Sequence, residues 1–187
     1  QQASAGDPSN AEKDGDNAYL WRQNRRRLEV EPWRDSLLAV SGKLDLTTGG
    51  PTTDLKSAGN SRRTVYGKVS RHELDGLLRL FDFPDANVTA DKRTLTTVPQ
   101  QQLFAMNSEF MVTQAKAFTA RVAKLGKTED EKIVAAYRLA FGRKPSDEEV
   151  SVGRQFVALP NDAKDKLTRW EQYSQVLLAA NEFLYVD

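Results

Sequence analysis

The sequence predicts an all-α fold of six to seven helices in an irregular bundle, with two long loops and room for one short β pair. Three observations carry this. Apolar residues recur at steps of three and four through most of the chain. Three S/T-x-x-E capping boxes, Ser70–Glu73, Thr128–Glu131 and Ser146–Glu149, each precede such a stripe. Period-two alternation is confined to a weak run over 62–69, which predicts a short strand or extended segment.

Residues 1–16 are polar and small, too poor in apolar area to offset their ordering entropy, and predict a poorly ordered arm or linker. Residues 17–187 are then expected to form a single helical domain. The helical pattern begins near residue 17. Val30, Trp33, Leu37 and Val40 share one helix face, Pro32 suits a first turn, and Gly42 is a natural stop. Residues 45–61 are a turn-rich loop. After Ser70, Leu74, Leu77, Leu78 and Phe81 mark a helix, and residues 82–94 form the second long loop.

The stretch 93–110, RTLTTVPQQQLFAMNSEF, comes next. Thr96 or Thr97 is expected to cap a helix with Pro99 in its first turn. Leu103, Phe104 and Met106 should face the core, and Asn107 or Ser108 should end that helix or cap the next. The following stripes are Met111, Ala115, Phe118, Val122 and Leu125; Ile133, Ala136, Tyr137, Ala140 and Phe141, closed by Gly142; Val152, Phe156 and Leu159; and Leu167, Trp170, Tyr173, Leu177, Ala180 and Leu184.

Composition excludes several chemistries. Lys plus Arg is 27 against 26 Asp plus Glu, a net charge of +1, which gives no global drive toward nucleic acid. With no cysteine there is no disulfide, thiol nucleophile, zinc–thiolate site or C-x-x-C-H haem attachment. His72 is the single histidine, so no multi-histidine metal site exists, and neither a metal nor a catalytic residue is assigned. No apolar run approaches the ~20 residues of a membrane span. There is no G-x-S-x-G, P-loop or G-x-G-x-x-G.

The candidate site is a polar cluster around the two loops: Arg62, Arg63, Tyr66, Asp82, Asp85, Asn87, Arg93, Thr96, Thr97, Gln100 and Asn107. Its plain reading is structural, with Asp82, Asp85 and Asn87 setting turns and an arginine–carboxylate network pinning the loops together. On this reading Asp85→Ala should cost on the order of 2 kcal/mol, as for a buried hydrogen-bonded charge. The sharper reading is a polar groove for a neutral ligand such as a sugar. The segment 21–27, WRQNRRR, reads as a solvated helix face with ion pairs, because Glu29, Glu31 and Asp35 follow at once.

Several of these stretches occur together, in this order, in one family: NRRRLEVEPWRDSLLAVSGKLDLTTGGP, RRTVYGKVSR, LFDFPDAN, RTLTTVPQQQLFAMNSEF, AYRLAFGRKPSDEE and NEFLYVD. The chain resembles the planctomycete-type domain of unknown function found at the C-terminus of large exported proteins, many with a planctomycete cytochrome c domain upstream. The resemblance spans about residues 17–187. It departs at Pro32 and Trp33, where the family's helix has no proline and an aliphatic residue, so Pro32 is expected to split one long helix into two. The family's signature polar positions fall on Arg62, Arg63, Tyr66, Asp82, Pro84, Asp85, Asn87, Arg93, Thr96, Thr97, Pro99, Gln100 and Asn107, without assigned roles. The resemblance implies the C-terminal portion of a longer parent protein, exported to the periplasm or cell surface. It implies no cofactor in this chain, and haem only in an upstream domain of the parent. The expected partners are other domains of the parent protein, with a polysaccharide as the alternative.

Overall fold

The computed structural model describes residues 6–57, 59–94, 96–162 and 165–186. Among them are nine helices, six of seven residues or more, and one two-stranded sheet; about 49% of the chain is helical. This is the all-α architecture that the apolar periodicity predicts. The first five residues of the expected arm lie outside the described residues.

Helix α1 (Pro8–Lys13) is capped by the Asp7 carboxylate and buries no side chain. Residues 17–25 are irregular, not helical. The buried Asn17 side chain explains this: it donates to Arg22 O and accepts from Arg22 N, closing a loop in which Asn17 and Leu20 take left-handed φ of 55°. Strand β1 (Arg26–Arg27) follows. Helix α2 (Val30–Val40) then buries Val30, Trp33, Arg34, Leu37 and Leu38. It stops at Gly42, whose φ of 74° suits glycine.

The first long loop leads into a 3-10 turn, Thr64–Tyr66. The expected strand over 62–69 is reduced to two isolated bridges, Asp45 with Arg62 and Thr53 with Gly67. The Ser70–Glu73 box does not form. Helix α3 (Gly76–Leu80) starts later, because the buried Asp75 side chain accepts from Leu77 N and outcompetes Ser70 as cap. Glu73 pairs with Lys56 instead.

Helix α4 (Pro99–Asn107) begins with Val98 at the cap position and Pro99 in the first turn; Thr96 and Thr97 do not cap it. Its inward face is Gln101 and Ala105, with Phe104 half-buried. Leu103 (57% exposed) and Met106 (59%) point outward, contrary to expectation. Helix α5 (Glu109–Val122) is capped by Ser108 and buries Met111, Ala115, Phe118 and Val122, while Leu125 lies beyond it and is exposed. Helix α6 (Glu129–Phe141) and helix α7 (Asp147–Val157) start at the two predicted boxes, and Gly142 ends α6 in the left-handed region. The inward position of α7 is Gly153, not Val152 or Leu159, which are exposed. Helix α8 (Arg169–Ala179) has a fourth box, Thr168–Glu171. Helix α9 (Asn181–Leu184) leads into β2 (Tyr185–Val186).

The β pair joins chain ends: Arg26 faces Val186 and Arg27 faces Tyr185, antiparallel. The core is centred on α5, which lies along α8. Around it sit Leu37, Leu38, Leu78, Ile133, Ala136, Leu177, Leu178 and Phe183. A ring cluster closes the α2–α3–α4 corner: Trp33 stacks on Phe81 at 4.4 Å, and Phe104 meets both edge-on.

Candidate functional site

The second loop folds back on the start of α4 through one carboxylate. Asp82 adopts φ of 61°, a conformation aspartate tolerates better than most residues. This aims its side chain at Thr96, whose N–H and Oγ1 hydroxyl both donate to it at 2.7 Å. The Thr96 carbonyl accepts in turn from the buried Arg27 guanidinium, which also donates to Gln101 Oε1 at 2.7 Å. Gln101 completes the junction by donating to Leu80 O at 2.9 Å. One buried arginine on β1 and one buried glutamine on α4 thus tie residues 80–82 to 96–101.

Arg93 holds the same loop to the entrance of α2. It donates to Glu29 and, in a fork, to both oxygens of Glu31, all at 2.8 Å, and lies over the Phe83 ring at 4.9 Å. Burial pushes the Glu31 carboxyl up, but the Arg93 hydrogen bond and charge and a backbone N–H outweigh it, and its pKa falls below the usual 4.5. A carboxylate depressed in this way stabilises the fold fully above its unfolded pKa and loses that contribution as pH falls through the lower folded value. Stability is therefore expected to drop below about pH 4.3, and Arg93→Met to flatten that acid limb in urea titrations at stepped pH. An unchanged limb would count against the fork.

Asp85 is placed otherwise than expected. It is exposed, and among the described residues its carboxylate reaches only Asn87 two residues on, at 2.9 and 3.0 Å. Asn87 links onward to Arg71 O. The cost of alanine therefore moves to the other aspartate. Asp82→Ala is expected to lose about 1.5 kcal/mol for two hydrogen bonds to a charge, and Asp85→Ala under about 0.5 kcal/mol, both read from chemical unfolding.

Arg62, Arg63 and Tyr66 belong to a separate junction. Arg34, 0% exposed, donates to Asn60 O (2.6 Å), Arg62 O (3.0 Å) and Thr64 Oγ1 (3.1 Å), with the Phe110 ring 5.1 Å away. Next to it Asp35 accepts from Thr64 N (2.7 Å) and Thr64 Oγ1 (2.6 Å), and Arg63 lies 3.7 Å from it. Arg62 turns to the carbonyls of Thr47, Gly49 and Pro51 and stacks on Tyr66 at 4.2 Å. The eleven candidates thus fall into two junctions and a remainder. Asp82 and Thr96 meet in one, with Arg93 fastening the same loop to the entrance of α2, and Arg62, Arg63 and Tyr66 belong to the other. Thr97 and Gln100 are exposed, Asn107 bonds within its own helix to Leu103 O, and Asp85 and Asn87 form a local turn. The carboxylates that hold the arginines come from the β1–α2 segment, not from the Asp82–Asn87 loop.

A family model described as PSD1, protein of unknown function (DUF1553), matches residues 1–157. The chain belongs to this family. No curated protein and no solved structure matches it.

In this DUF1553 chain the residues that organise the site are ones the sequence reading left outside the candidate cluster: Arg27, Glu29, Glu31 and Asp35, read as a solvated helix face with ion pairs, Gln101, read only as part of the α4 entry, and Arg34. One signal was present. Arg34 stands four residues from Val30 and Leu38 and three from Leu37, inside the apolar face of α2, so a charge is carried inward among core residues. Arg143, in the AYRLAFGRKP stretch, is a third staple. Its donors reach Glu149 on α7, Glu182 on α9 and Lys144 O, and its guanidinium lies over Tyr137 and Phe141. Glu149 and Glu182 raise its pKa further. Among the described residues no group of three His, Cys, Asp or Glu is placed to hold a metal ion, and no helix is long and apolar enough to cross a membrane.

Proposed function

We propose that this DUF1553 chain is a helical scaffold or interaction module of an exported, cytochrome-linked multidomain protein, with residues 17–187 as the module and 1–16 as an arm. Its partners on this reading are other domains of the parent protein. The observation that carries it is where the polar side chains of the long loops spend their hydrogen bonds. Arg27, Arg34 and Arg62 donate to backbone carbonyls of the chain itself, and both Asp82 oxygens accept from Thr96. Groups committed in this way position surface loops rather than present free acids or bases. The exported, planctomycete-type setting rests on the ordered motifs alone.

The second reading is a carbohydrate-binding or carbohydrate-active domain using the face between loops 82–94 and 96–107. In its favour, Thr97 and Gln100 are exposed beside the Asp82–Thr96 junction. A thermal-shift screen against soluble polysaccharides separates the two. The scaffold reading expects no glycan to raise the melting temperature. A glycan-dependent rise that Gln100→Ala and Thr97→Ala abolish would replace it with the second.

A further inference from the structure

Two cavities adjoin between α4 and α8. The outer one is a groove of about 380 Å³ with Met106 on α4 and Val176 on α8 in its walls. Its size is in the range of small-molecule sites. The inner one holds about 30 Å³, room for roughly two waters, and its walls include Arg27, Trp33, Phe81 and Leu184. Gln102, Ala179 and Ala180 line both. Gln175 fixes the width of the groove by donating from α8 to Ala105 O and Met106 O on α4.

The joint lining carries one charge. Among the described residues that line either cavity, Arg27 alone is ionisable. It is 7% exposed and makes no ion pair among the described residues. Its terminal nitrogens donate to Thr96 O and Gln101 Oε1, both neutral acceptors, and its Nε is buried without a partner. A buried cation without a counter-charge is costly, so an anion reaching it through the cavity is favoured. Helix α4 adds to this. No side chain caps it and no acid stands in its first turn, where Gln101 and Gln102 line the inner cavity, so the positive end of its dipole is unanswered there. Further out the wall is apolar and open: Met106 is 59% exposed and Val176 60%.

We infer that this groove binds a free medium-chain alkyl carboxylate. The carboxylate pairs with the Arg27 guanidinium at the inner end, and the alkyl chain lies between Met106 and Val176. This goes beyond the scaffold reading and does not depend on it. An alkyl alcohol lacks the charge, and acetate lacks the chain.

Calorimetric titration of the whole chain with octanoate tests it, with octan-1-ol and acetate probing each half alone. Saturable binding in the millimolar range or tighter is expected for octanoate, and about tenfold or more weaker binding for each of the other two. Arg27→Gln should abolish the advantage of octanoate over octan-1-ol. Arg27 also fastens residues 80–82 to 96–101, so two variants of the outer wall keep the test independent of folding. Val176→Asp and Met106→Asp change exposed side chains, and each should weaken octanoate about tenfold without lowering the melting temperature. Leu103→Asp, an exposed position of α4 outside the groove lining, should leave binding unchanged. No saturable heat from octanoate, equal binding of octan-1-ol or acetate, or undiminished binding by Val176→Asp would overturn the assignment.

Discussion

Arg34→Ala is expected to lower the unfolding free energy by about 3–5 kcal/mol, the cost of breaking a buried charged network from one side. Three acceptors lose their donor: the carbonyls of Asn60 and Arg62 and the Thr64 hydroxyl. Thr64 would still be held by Asp35, but that carboxylate would keep only Arg63, 3.7 Å away, of the two cations beside it. Burial lowers the Arg34 pKa and the charges of Asp35 and Asp75 raise it, with burial winning, so the site already bears the strain of an ion taken out of water. A chain of this length should melt roughly 10 °C lower, at 2–4 °C per kcal/mol. Arg34→Lys keeps the charge without the planar fork and should fall between. A loss under about 1 kcal/mol, the worth of a single ordinary hydrogen bond, would show that the first loop does not depend on this guanidinium.

Gly153→Ala should cost about 2–3 kcal/mol, in the range of an overpacked core, although alanine is the better helix former. The reason is contact distance. A Cβ at this position of α7 would lie 2.6 Å from the Tyr173 hydroxyl, 3.1 Å from its Cζ and 3.2 Å from Ile133 Cδ1. That hydroxyl is buried beside the Tyr137 hydroxyl without a well-formed hydrogen bond, and burial, followed by Tyr137, raises its pKa. Tyr173→Phe alone should therefore be close to neutral, since the polar atom it removes is buried without a well-formed hydrogen bond. It should also recover part of the Gly153→Ala loss, because the nearest clash disappears. The four variants form a double-mutant cycle; strict additivity would contradict the packing described here.

The helix entries at Thr128, Ser146 and Ser108 are legible in sequence because a cap is a local event, settled within four residues. The entry at Ser70 is not, because a competing cap, Asp75, stands five residues on and is buried. Inward faces are legible where large side chains make them, as in α5, and misread where a small or polar residue does. α7 turns Gly153 inward and α4 turns Gln101 and Ala105 inward, leaving Leu103, Met106, Val152 and Leu159 outside. The β pair is beyond sequence reading, since its partners are 158 and 160 positions apart and two residues long. In the candidate site, the contact of Asp82 with Thr96 follows from a cluster the sequence makes visible. The arginines that fasten it to carbonyls do not, because a carbonyl acceptor leaves no mark in a sequence.

Because Arg34 sits between the core ring of Phe110 and the backbone of residues 60–64, the first long loop shares the fate of the helices beneath it. The amide protons of the turn it leads into, at Thr64 and Gly67, bonded to Asp35 and to Thr64 O, should exchange with deuterium only when the whole domain opens. The turn at Asp85–Asn87, fastened only at the surface, should exchange far sooner. Surface position and slow exchange coincide wherever a buried cation reaches outward to hold the chain.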